Sequence, residues 1–131
     1  MKSDTYIKDL VYQIVRNSVL PENVNGVLSK TIRPSDSNNE DIVISILDGS
    51  NGQLQSFIVN VNVYVHDANK EKDHIEDTSR IRVLSEICIN LFESIIGDDY
   101  RIELEKQRIL SVPDKEEHLI NNRILVTIFN S

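Results

Sequence analysis

The stretch Ser56-Phe57-Ile58-Val59-Asn60-Val61-Asn62-Val63-Tyr64-Val65-His66 decides the fold class. Successive side chains of an extended chain point to opposite faces, so Phe57, Val59, Val61, Val63 and Val65 share one side. Ser56, Ile58, Asn60, Asn62, Tyr64 and His66 share the other. The first side is plainly core. The second is too mixed for core and too rich in amide and aromatic groups for a charged, solvated surface, which makes it the first candidate for contact with a partner.

Upstream, the aliphatic run Ile42 to Leu47 leads through the turn-rich Asp48-Gly49-Ser50-Asn51-Gly52 into this strand, a strong antiparallel hairpin signal. Before it, Val27 to Ile32 is a short β candidate closed by Arg33-Pro34. The run Ser35 to Asp41 contains no apolar residue and reads as a surface loop. At the amino-terminal end, Ile7, Leu10, Val11, Ile14 and Val15 recur at the spacing of a helical stripe, with Ser3 or Asp4 as N-cap and Pro21 bounding the far side.

Downstream, Asp67 to Glu76 is rich in acids and nearly free of apolar residues, so it reads as an exposed loop. Ile81, Leu84, Ile87, Cys88, Leu91, Phe92 and Ile95 then form a second helical stripe, with Asp73 or Asp77 placed to cap it and Gly97 placed as a left-handed C-cap. Tyr100 to Leu110 and His118 to Phe129 are strand candidates joined through Ser111-Val112-Pro113-Asp114-Lys115, whose Pro-Asp pair favours a turn. In the last strand Ile120, Ile124, Val126 and Ile128 lie on one side and Leu125, Thr127 and Phe129 on the other. A strand apolar on both faces is either central in its sheet or covered by a neighbouring subunit. The expected architecture is a single α+β domain in the order α-β-β-β-α-β-β, with an antiparallel or mixed sheet of about five strands and two helices on one face.

Composition narrows the function classes. A chain of 131 residues, 40% hydrophobic and 27% charged, is the size and polarity of one globular domain. No apolar run is long enough for a membrane span, and Met1-Lys2-Ser3-Asp4 leads into an amphipathic segment rather than a signal core. A single cysteine fits a reducing compartment. The formal net charge of -7 opposes binding to nucleic-acid phosphates. The nearest basic groupings, Lys30 with Arg33, Lys70 with Lys72 and Arg80 with Arg82, are diluted by acids and read as solvated faces.

Catalytic and ligand-binding signatures do not emerge. Gly26, Gly49, Gly52 and Gly97 occupy turn or cap positions and are not grouped as a phosphate-binding loop requires. His66 and His74 with Asp67 and Asp73 match no metal-ligand spacing, and His118 stands alone. Cys88 lies on the apolar stripe of the second helix and reads as core. The adjacent acids Asp98 with Asp99 and Glu116 with Glu117 read as solvation and capping groups rather than an acid/base pair. No catalytic residue, cofactor or metal is expected.

Taken as an ordered pattern, the chain resembles the tail-terminator and tail-completion proteins of long-tailed bacteriophages and prophages. The resemblance is carried by the helix Tyr6 to Ser18, Lys30-Thr31-Ile32-Arg33-Pro34, the pair Ile42 to Leu47 and Phe57 to Asp67, the helix after that pair, and two closing strands. Members of that family often place an aromatic and a proline ahead of the second strand, where this chain has Asn39-Glu40-Asp41. The resemblance implies a virion structural protein without enzymatic activity. It would form a ring of its own copies, commonly a hexamer, between the tail tube and the head connector, made in the host bacterial cytoplasm and ending in the virion neck. The expected subunit interface is Ile58, Asn60, Asn62, Tyr64, His66, Leu125, Thr127 and Phe129. The rival readings are another cytoplasmic adaptor, another neck or baseplate component, or a small-molecule-binding domain or enzyme with a pocket between sheet and helices, which would need convergent polar groups such as Tyr64, His66 and Arg123.

Overall fold

The computed structural model describes residues 2–50, 54–68 and 75–129. Helix α1 spans Asp4–Arg16, and Ser3 caps it by accepting a hydrogen bond from the Tyr6 amide at 3.1 Å. It presents Ile7, Val11 and Val15 to the core, one residue per turn, as its periodicity predicts. The chain turns through Pro21–Asn23 into β1 (Leu28–Lys30), then β2 (Ile42–Ser50) and β3 (Leu54–His66). Helix α2 (Thr78–Phe92) follows, capped by Asp77 through the Arg80 amide, and β4 (Ser94–Ile96), β5 (Tyr100–Ser111) and β6 (Glu117–Phe129) complete the chain.

The sheet is mixed and six-stranded, in the order β1-β2-β3-β6-β5-β4. Both expected hairpins form, β2 with β3 and β5 with β6, and β6 lies at the centre against β3 over its full length. Among the described strands only β1 runs parallel to its neighbour. Both helices pack on one face, where Ile7, Val11, Leu84 and Phe92 meet Val59, Val61, Val63, Ile120, Ile124 and Val126 in one buried cluster. Full burial of an aliphatic side chain contributes roughly 1.5–3 kcal/mol, and this face carries most of it.

The sixth strand is a correction. Ile95 continues the helical stripe in sequence, but α2 ends at Phe92 with Glu93 as its C-cap, and Ser94–Ile96 pair with β5. Gly97 is therefore not a left-handed helix cap. Its amide bonds the Tyr100 carbonyl in the turn from β4 to β5, and a Cβ there would stand 2.2 Å from the Tyr100 ring. No described helix is long and apolar enough to cross a membrane.

Candidate interaction surface

The pairing registers place the whole expected interface on the sheet face away from the helices. Asn62 is level with Asn121, Asn60 with Arg123, Ile58 with Leu125 and Ser56 with Thr127, so these side chains stand together across the two central strands. Tyr64 and His66 continue the row at one end and Phe129 closes the other. Ile58, Asn60, Asn62, Tyr64, Leu125 and Thr127 are half-buried, while His66 and Phe129 are exposed. None of the eight belongs to the helix-side core, and no described helix lies over them.

The middle of this face is an amide ladder. Asn121 donates from Nδ2 to Asn62 Oδ1 at 2.7 Å and to Asn60 Oδ1 at 3.2 Å, and these contacts bury it. With their oxygens engaged, Asn60 and Asn62 retain amide N–H groups for other acceptors. Beside the ladder, Arg123 Nε lies 3.3 Å from Glu105 Oε1 in an ion pair, and this donor has no hydrogen-bond partner among the described residues. On the helix side of the same strand, Asn122 is completely buried but satisfied, donating to the Val61 carbonyl and accepting from Gln107 Nε2.

At the His66 end, the 33–41 loop closes over the face. Arg33 donates from Nε to Asp41 Oδ2 at 2.8 Å, from both terminal nitrogens to Glu117 at 2.9 and 2.7 Å, and to the Asn39 carbonyl. Its guanidinium stacks on Tyr64, 4.0 Å from the ring centroid. Asp41 and Glu117 are almost wholly buried. Burial works against ionisation of Asp41, but hydrogen bonds from Ser37, Arg33 and the Val27 amide outweigh it and hold its carboxyl below the usual range. For Arg33 burial likewise opposes the charged form, and Glu117 and Asp41 more than compensate, raising its pKa.

Five readings from sequence are overturned at this point. Ser35 to Asp41 is not wholly a surface loop, because Glu40 and Asp41 are buried, pointing to different partners: Glu40 to Arg80 and Asp41 to Arg33. Arg33 and Arg80 are structural cations rather than members of solvated faces, and Glu117 is a buried ion-pair partner rather than a solvating acid. His118 does not stand alone, since its Nδ1 lies 2.6 Å from Asp67 Oδ1. Asp67 is buried, not part of an exposed loop, and its Oδ2 has no hydrogen-bond partner among the described residues. Lys70, Lys72, Asp73 and His74 lie outside the described residues.

Cys88 is fully buried, and burial pushes its thiol up to about 12, so it is held as a neutral core group. An open depression of about 380 Å³ is lined by Asn38, His66, Asp114, Lys115, Glu116 and Glu117. It takes in His66 but not His118, Tyr64 or Arg123, so the three residues named for a small-molecule pocket do not converge there. Among the described residues no group of three or more His, Cys, Asp or Glu side chains is placed to hold a metal ion. Sequence reading missed Arg33, Asp41, Glu117 and Asn121. Only the adjacent pair Asn121-Asn122 left a signal, since amides on both faces of an otherwise apolar strand require partners on both. No known family model matches the chain, and no curated protein matches it in sequence.

Proposed function

We propose that the chain is a structural subunit that acts by assembling with other protein chains, and that it is a tail-terminator or tail-completion protein of a long-tailed phage or prophage. The observation that carries this reading is the sheet face that no described helix covers, closed by the 33–41 loop only at its His66 end. Its centre is aliphatic and amide in character around one cation, Arg123, with Ile58 and Leu125 on one side of the Asn60, Asn62, Asn121 ladder and Tyr64, stacked under Arg33, on the other. Interface centres are likewise enriched in aromatic residues and in arginine. The order of elements supports the narrower assignment.

In this reading copies of the chain form a ring, a hexamer as the resemblance implies, that caps the tail tube and joins it to the head connector. The subunit is made in the host bacterial cytoplasm and ends in the virion neck. The net charge of -7 suits a ring whose lumen passes DNA without holding it. The test is to add the purified protein to polymerising tail-tube protein encoded beside its gene. Tubes of limited length with a ring at one tip are expected. Unchanged growth with no bound subunit would refute the reading.

A further inference from the structure

The two outer strands occupy diagonally opposite corners of the sheet. β1 pairs only with Ile42–Ile44, at the His66 end of β2, leaving β2 from Ser45 onward without a described neighbour on its outer side. β4 pairs only with Arg101–Glu103, at the Phe129 end of β5, leaving β5 from Leu104 to Ser111 likewise unpaired. Local structure stops both short strands. Thr31 takes a left-handed conformation (φ 72°) directly after β1, and the Gly97 turn ends β4. Each half of the sheet is thus five strands wide, and each edge is a step.

The steps are complementary. Following the ladder across, Leu28 is level with Ile42, Val63, Ile120 and Ile109, so β1 of one copy fits beside Gln107–Ile109 of another. Ser94 is level with Glu103, Leu125, Ile58 and Asp48, so β4 of that second copy fits beside the open end of β2. With the sheet faces kept in register, β1 meets β5 antiparallel and β4 meets β2 parallel. We infer that copies of this chain join head to tail through a lap joint of these two edges, giving one continuous sheet.

Two further observations favour a second copy as the occupant. Exposed large apolar side chains gather at these edges: Val27 and Ile32 beside β1, Ile96 on β4, Leu47 on β2, and Ile109 and Leu110 on β5. Charge also disfavours pairing of two β5 edges about a two-fold axis. Centred on Gln107 it sets Lys106 against Arg108, and centred on Arg108 it sets that residue against itself. The head-to-tail joint places Arg108 opposite Ser29. An interface of this unlike-edge type propagates and closes into a ring where its rotation permits. Bulges lie at Leu47 and Glu105, next to both steps, and bulges also serve to refuse pairing, so the joint needs a direct test.

The inference shares with the proposed function only the premise of self-assembly. The test is the doubly substituted chain Ser29→Cys with Arg108→Cys, oxidised in solution and run without reductant beside each single variant. The two positions are four strands apart within a chain, roughly 19 Å, too far for an internal disulfide. A ladder of covalent multimers from the double variant and none beyond dimer from the singles is expected, with circular dichroism matching the wild type. A second variant, Ile96→Asp, on the other half of the joint, is expected to raise the concentration needed for assembly by at least tenfold. No ladder, and normal assembly of Ile96→Asp, would overturn the lap joint while leaving a ring built through the open face intact. Wild-type protein that is monomeric at every concentration would also overturn it, and tail-tube capping would then judge the proposed function separately.

Discussion

The two faces of the sheet are built from the same strands but by different rules. The helix side of β3 and β6 is Val59, Val61, Val63, Ile120, Ile124 and Val126, with the hydrogen-bonded Asn122 among them, all fully buried under α1 and α2. The open side of the same strands is Ile58, Asn60, Asn62, Tyr64, Asn121, Arg123 and Leu125, held by amide hydrogen bonds and, at one end, by the Arg33 cluster. The first face stabilises the fold by removing apolar surface from water. The second keeps part of its apolar and donor capacity unspent, and that residue is what a partner can use.

The sharpest break in the comparison is at Arg33. Arg33→Met should cost about 3–5 kcal/mol in urea unfolding, because it leaves Asp41 buried without its cation and Glu117 with only Lys115, 3.8 Å away. On the helix side, Ile124→Ala should cost about 2–5 kcal/mol by the same measurement, since neighbouring side chains close a buried cavity only in part.

Acid should sharpen the contrast further. Asp41 has a folded-state pKa below that of the unfolded chain, so its contribution is complete above the ordinary carboxylate value of about 3.9 and is lost as pH falls through the folded value. The stability gap between wild type and Arg33→Met should therefore narrow when unfolding is repeated at about pH 3. A gap that stays constant would show that the ion pairs are not its source.

The smallest effect on folding is expected at the centre of the open face. Asn60→Ala and Leu125→Ala should each change stability by about 1 kcal/mol or less, yet weaken assembly as read by light scattering. Variants that assemble normally would take this face out of the account.

Much of this contrast was legible in the sequence where it followed a period. The alternation from Phe57 to His66 told which side of β3 is core, while Ile120 to Phe129, apolar on both sides, left β6 either central or covered by a neighbouring subunit until the strand order placed it at the centre. β4 was hidden because Ile95 continues the spacing of Leu91 and Phe92, and only pairing with Arg101–Glu103 ends that helical run. The Arg33 cluster was hidden for a different reason. Its members come from a loop without apolar residues and from Glu117, 84 positions away, and nothing local marks an acid that will be buried against a distant cation. The open face was visible as a composition, Asn60-Val61-Asn62, but the third amide, Asn121, entered only with the register.

Association is how this chain works in the reading above, and its mass in solution tests that most directly. Light scattering after size exclusion, over a wide range of concentrations and with negative-stain images of the peak, should give a multiple of 15.0 kDa and closed rings with an open lumen. A mass of 15.0 kDa at every concentration, together with no binding to tail tubes, would contradict it.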